Sequence, residues 1–131
     1  MSDSFVGQPE GPLTRAQRTS GDWNPIWDLM GKWNPEFLEA YLQLRSVPFR
    51  QGLLEPKVKE LILIAINAAT THLYGPGVRR HIRNALAHGA TREEIVEAIQ
   101  LTTLLGIHSS NLALPILAEE LQARGGGAAG G

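Results

Sequence analysis

The sequence predicts an all-α fold of five or six helices, completed by association of chains. Three observations predict it. Apolar residues recur at helical rather than alternating spacing along most of the chain. Helix start and stop signals stand at Asn34-Pro35, Gly75-Pro76-Gly77, Gly89 and Thr91 with Glu94. The run Leu61 to Ile66 is apolar without interruption, which implies a helix buried on most sides. In a chain of 131 residues, such a helix needs neighbouring subunits to help cover it. The β-branched residues fall inside the helical periodicity, and no internal repeat is visible.

Residues 1–20 are polar and carry Gly and Pro, so they are expected to form a flexible arm or a strap over a neighbour. A single domain over residues 21–124 follows, and residues 125–131 form a disordered Gly-rich tail. Trp23, Trp27 and Trp33 fall within eleven residues and need burial. They can cap the domain's own core or cover a site mouth or subunit contact, where Trp is enriched. Asn34 suits a helix cap and Pro35 a first helical position, with Phe37, Leu38, Tyr41, Leu42 and Leu44 supplying apolar faces. Ser46-Val47-Pro48 ends that helix. The organising stretch is 55–89, where one helix starts at Pro56, breaks at Gly75-Pro76-Gly77, and a second runs to Gly89. A capping box at Thr91 and Glu94 opens the next helix, which runs to about Leu105 and breaks at Gly106. Ile107 to Asn111 forms a connection, and a last helix covers Leu112 to about Ala123, starting late or kinking at Pro115.

Composition narrows the function. At 43% hydrophobic residues the chain has material for a real core. Twelve basic and 13 acidic side chains leave a net charge of −1, which argues against nucleic acid or an anionic membrane as partner. No stretch reaches the about 18 apolar residues of a membrane span, and no signal-peptide pattern opens the chain. A cytoplasmic location is the expectation. There is no cysteine, so thiolate nucleophiles and disulfide cycles are excluded.

Candidate chemistry concentrates in the organising stretch. Glu60, Asn67 and Thr71 recur at helical spacing on one face of an apolar helix, where an unpaired polar group costs about 1–3 kcal/mol. They either bond to neighbouring helices or hold a ligand. After the break, Arg79, Arg80, His81 and Arg83 lie within two turns of a helix start, an electropositive corner suited to a carboxylate. Singly, each arginine is as well explained by solvent or a neighbouring acid. His81 shares a face with Asn84 and His88. His72 could cap the end of its own helix, and His108, beside Gly106 and ahead of a helix start, is a second pocket candidate.

The segment KELILIAINAATTHLYGPGVRRHIRNALAHGATREEIVEAIQ resembles the carboxymuconolactone decarboxylase family, which shares its fold with the alkylhydroperoxidase D-like proteins. The family pattern is carried by Glu60, by His81 with Asn84-Ala85-Leu86, and by the turn Gly89 to Glu97. The likeness covers roughly residues 33–121. The peroxidase branch places a cysteine pair before the histidine. Here His72 stands at the first of those positions, and the second falls in Tyr74 to Gly77, where this chain is about two residues longer. Peroxidase chemistry of that type is excluded.

The resemblance implies a lyase that decarboxylates a carboxylated lactone in aromatic ring-fission catabolism, with no cofactor. It also implies a homo-oligomer, a trimer or a pair of trimers, with the turn at His108 near the central pair across a subunit contact. His81 would act as general acid–base, with Glu60 orienting it or sharing its proton and His72 as a further catalytic residue. Arg79, Arg80 or Arg83 would hold the substrate carboxylate, with His108 and Trp27 as further substrate contacts. A competing expectation is a metal site of His72, His81 and His108 with Glu60, suited to a divalent transition metal such as zinc. A third is a non-catalytic oligomer that keeps the fold without the reaction.

Overall fold

A computed structural model describes residues 7–126. The described residues form seven α-helices: α1 (Pro12–Arg18), α2 (Ile26–Trp33), α3 (Pro35–Arg50), α4 (Pro56–Ala68), α5 (Gly75–Ala87), α6 (Arg92–Leu101) and α7 (Ile107–Gly125). A 3-10 segment, Thr102–Gly106, joins the last two, so that Arg92–Gly125 is one helical rod of 34 residues. Counted with that rod as one body, the helices number six. Among the described residues there is no strand. The chain divides into two compact units, Met1–Pro56 and Lys57–Gly131.

In the first unit, Trp27, Leu38 and Leu42 are buried, with Leu13, Trp23 and Met30 packed against them. Asn34 caps α3 by accepting from Phe37 N at 3.1 Å, with Pro35 at the first helical position as expected. Ser46-Val47-Pro48 does not end this helix, which continues to Arg50. Pro48 sits in the final turn, where the bond it cannot make is the loss of one rung rather than of the helix.

Part of the segment expected as a flexible arm is ordered. Residues 12–18 form α1 because Glu39 on α3 supplies the cap that Gly11 lacks. The Glu39 carboxylate accepts from Leu13 N (2.8 Å), Thr14 N (2.9 Å) and Thr14 Oγ1 (2.8 Å). A side chain on Gly11 would collide with that carboxylate, so glycine at the cap is what lets it approach. Burial pushes the Glu39 carboxyl up, but the bonds from Leu13 and Thr14 outweigh it and hold the group below its ordinary value. Residues 1–6 of the expected arm and 127–131 of the expected tail lie outside the described residues.

In the second unit, Ile64, Ala85, Ala90 and Ile95 form the core, with Leu61 and Ile82 against it. The capping box at Thr91 and Glu94 is present in both directions, and Gly89 takes φ +88° after α5. Three expectations need correction or completion. First, α4 stops at Ala68, ahead of Gly75, because the chain turns at once: His72 N and Leu73 N both donate to Ala69 O, and Tyr74 N donates to Asn67 O. Thr71 is therefore in the turn and exposed, off the face that carries Glu60 and Asn67. Second, one chain alone supplies only part of the cover expected for α4: Ile62 and Ile66 remain 44% and 52% exposed, and the rest would have to come from neighbouring subunits. Third, Gly106 does not break the helix, and α7 begins at Ile107 with Pro115 inside it. A lone glycine inside a helix costs only about 1 kcal/mol, which flanking helix formers offset. By length and composition alone, the resulting rod could cross a membrane.

The return from α4 into α5 depends on a close backbone approach at Gly77. A Cβ there would stand 2.7 Å from both Asn67 Cγ and Tyr74 Cδ1.

Two outcomes are expected. Glu39 has a lowered native pKa, so its contribution to stability is present above the ordinary glutamate value and is lost as pH falls through the lowered one. Glu39→Ala should therefore cost about 1 kcal/mol at neutral pH, the usual worth of a helix cap, and nothing at strongly acidic pH, as read by urea denaturation at both. Gly77→Ala should destabilise by about 1–3 kcal/mol through overpacking at the α4–α5 junction, lowering the thermal midpoint; an unchanged midpoint would show that the junction yields freely.

Candidate functional site

Pro56 opens α4 and aims one of its faces inward, placing Glu60, Ile64 and Asn67 at i, i+4 and i+7. α5 does the same with Gly77, His81 and Ala85 at i, i+4 and i+8. The two faces meet at a buried hydrogen bond, His81 Nδ1 to Glu60 Oε2 at 2.7 Å. Glu60 is 6% and His81 5% exposed. A carboxylate only accepts, so the geometry puts a proton on Nδ1 and locks the imidazole ring against rotation. The other ring nitrogen, Nε2, is thereby the exchangeable one. It accepts a proton when the ring is neutral and donates one when the ring is charged.

At the α4–α5 turn lies a cavity of about 500 Å3. α5 lines it with Gly75, Val78, Arg79 and Ile82, spaced at i, i+3, i+4 and i+7, and α4 adds Asn67 and Ala68. Leu73 stands at its rim with φ +47°, a conformation that a leucine adopts only at a cost of about 1–3 kcal/mol. Asn67 Nδ2 donates to Leu63 O at 2.8 Å, which fixes the carboxamide against the turn. Arg79 is exposed, with no hydrogen bond or ion pair to another described residue. The cavity thus offers one free guanidinium on an apolar wall. It suits a small molecule with an anionic group and an apolar body.

The structure brings some of the predicted residues together and separates others. Glu60 and His81 are paired, and Arg79 lines the cavity. Neither member of the pair lines that cavity; Asn67, on the same face of α4 as Glu60, does. His72 is exposed in the turn, with its ring edge-on to Tyr74 at 5.8 Å, and no described hydrogen bond ties it to the pair. Arg80 is half-buried and Arg83 exposed, and neither lines the cavity. His108 lies exposed on α7 rather than in a loop. Trp27 is a core residue of the first unit, edge-on to Trp23 at 5.3 Å, because α2 turns its apolar side onto Leu38 and Leu42. Among the described residues no three His, Cys, Asp or Glu side chains converge as a metal site would require, so His72, His81 and His108 are not gathered within one chain.

Sequence reasoning missed the hydrophobic wall of the cavity. The signal was present: Gly75, Val78, Arg79 and Ile82 have the spacing of one helical face.

Comparison with known proteins bears on the family. The family model described as the carboxymuconolactone decarboxylase family matches residues 35–118. A solved structure from Burkholderia xenovorans LB400, provisionally named a gamma-carboxymuconolactone decarboxylase subunit, is 40% identical, with a TM-score of 0.79 over 89% of this chain and 49% of that one. A protein of Paracoccus denitrificans, known as uncharacterized protein 4 in the cox locus, is 36% identical over 61 residues, 47% of this chain and 53% of that protein. The matched region is about half the length of each of these two relatives. The buried Glu60–His81 pair and the turn from Gly89 into α6 lie inside the matched span, and the chain belongs to the carboxymuconolactone decarboxylase family.

Proposed function

We propose that this chain is a subunit of a cofactor-free decarboxylase acting on a small carboxylated lactone or a similar carboxylic acid of aromatic catabolism. The observation that carries this reading is the buried Glu60–His81 pair. Such a pair holds a proton donor at a fixed point in a water-poor setting. Family membership supports the reaction class, and the name of the Burkholderia relative supports both the lactone and the subunit character. The family's fold supports a soluble protein, and we place it in the cytoplasm.

The chemistry asks little of the protein. Arg79 takes one carboxylate of the substrate in a charged, two-point hydrogen bond, while Leu73, Val78 and Ile82 hold the ring body. The carboxylate that leaves is stripped of water by its apolar surroundings. Its C–C bond breaks with both electrons passing into the conjugated lactone, and carbon dioxide departs. His81, charged and anchored at Nδ1 by Glu60, then gives its Nε2 proton to the carbanionic carbon and regains one from solvent. With no thiol in the chain, the peroxide chemistry of fold relatives is not open to it.

Removing the imidazole outright would leave Glu60 buried and unpaired, at about 3–5 kcal/mol. His81→Asn is the cleaner variant, because its amide N–H can still serve Glu60 but cannot transfer a proton. It should lower carbon dioxide release from a carboxylated lactone by about 100-fold or more with far-UV dichroism unchanged. Full activity would remove His81 from the mechanism. Arg79→Ala should raise KM about 10-fold or more, the worth of a charged hydrogen bond of about 1.5–3 kcal/mol, with kcat little altered. An unchanged KM would move the carboxylate contact elsewhere.

A further inference from the structure

Asn67 is the one uncharged polar side chain lining the cavity at the α4–α5 turn. It is 8% exposed, and its Nδ2 donates to Leu63 O at 2.8 Å. A carbonyl oxygen takes a bond only from a donor, so this contact fixes which end of the carboxamide points where. Oδ1 is turned over the first turn of α5, where a Cβ on Gly77 would stand 2.4 Å from it. It accepts from no described residue. Among the described residues no fully buried side-chain oxygen or nitrogen lacks a partner, so Oδ1 keeps contact with open space. The open space that Asn67 borders is the cavity. Solvent satisfies such an acceptor only until a ligand fills the space. A ligand that covers it with apolar surface leaves it unpaired, at the cost of a lost hydrogen bond.

We propose that Asn67 is the specificity-determining residue of this cavity, with Oδ1 accepting a hydrogen bond from a hydroxyl that the substrate carries in addition to the carboxylate taken by Arg79. The substrate class is thereby narrowed from small carboxylic acids to small hydroxy acids with an otherwise apolar body. The proposal rests on the reading of the cavity as the place where a substrate carboxylate meets Arg79.

Three features select a hydroxyl. The carboxamide oxygen has lone pairs and no proton, so a second carboxylate or a lactone carbonyl at this point would set oxygen against oxygen. An ammonium group could donate, but it would bring a second positive charge to a cavity that already holds the Arg79 guanidinium. Position favours one small molecule: Gly77, against which Oδ1 lies, and Arg79 are two residues apart in the same helix, so a single ring with two substituents reaches both groups. The bond to Leu63 O holds the acceptor in place before a ligand arrives, so little freedom is lost on binding. The apolar wall of Val78 and Ile82 discriminates weakly between ligands of similar size, whereas a fixed acceptor rejects the analogue that lacks the hydroxyl.

Matched aromatic acids provide the test. Meta- and para-hydroxybenzoate carry a hydroxyl at two distances from the carboxylate, and meta- and para-methylbenzoate have the same shapes with no donor. Dissociation constants from titration calorimetry on the full chain should favour the hydroxyl member of at least one pair by about 10-fold or more. Asn67→Leu should bring that ratio close to unity with the methyl acids bound at least as well, since Leu63 O lies inside α4 and keeps its helical backbone bond. Arg79→Ala should weaken both members of a pair alike and leave the ratio in place. Equal binding of hydroxyl and methyl members by the parent chain would overturn the proposal, while weakening of both by Arg79→Ala would keep the carboxylate reading standing. A hydroxyl preference that survives Asn67→Leu would overturn it too, by moving the selecting group elsewhere. A parent chain that binds none of these acids at millimolar concentration would overturn the carboxylate reading and this inference together.

Discussion

The second unit depends on one contact, the buried hydrogen bond between Glu60 and His81. Taking two ionisable groups out of water costs several kcal/mol apiece, and only short, well-aimed pairing offsets it. The 2.7 Å contact therefore fixes how α4 and α5 face each other. The rest of the unit follows from that alignment. α4 must stop early enough for the chain to reverse, and it stops at Ala68. The reversal is so tight that Leu73 is forced to a positive φ and Gly77 must lie directly against Asn67. The cavity is the space left at the outside of that turn. Site and fold here are one arrangement of two helices.

What could be read from the sequence was local. Asn34 with Pro35, Thr91 with Glu94, and Gly89 each act on backbone groups within a few residues, so their effect does not depend on the rest of the molecule. The Glu60–His81 pairing could be expected because the helical faces and the family pattern agree on it. The end of α4 was not legible: Ala69 to His72 contains no breaker, and the stop is imposed by the bonds to Ala69 O and Asn67 O. Glycine and proline misled in the other direction. Gly106 and Pro115 read as breaks, yet the helix passes both, because single breakers are overridden where the flanking residues favour helix. Trp27 and His108 show the remaining gap, since spacing along a helix does not say which body that helix packs against.

Apolar residues on α4, α6 and α7 outnumber the places one chain has to put them. Only Ile64, Ala85, Ala90 and Ile95 make the buried centre of the second unit. Leu101, Leu112, Leu114 and Leu121 lie in the open. Buried apolar surface contributes about 25 cal/mol per Å2, so the chain holds most of its unused stabilising capacity on these faces. Glu60 lies on α4, which also carries the exposed Ile62 and Ile66, so any cover over that helix would also stiffen the scaffold of the site.

α1 has a consequence of its own. A helix of seven residues is well below the about 12–15 that hold together in isolation. Its first turn is capped not by a neighbour in sequence but by a carboxylate 25 residues away. It can therefore detach as a unit while α2 and α3 stay folded, a local opening of low free energy. The amide protons of α1 would then exchange with solvent far sooner than those of α3. Their protection relative to that of α3 would fall further in acid, as the Glu39 anchor takes up a proton.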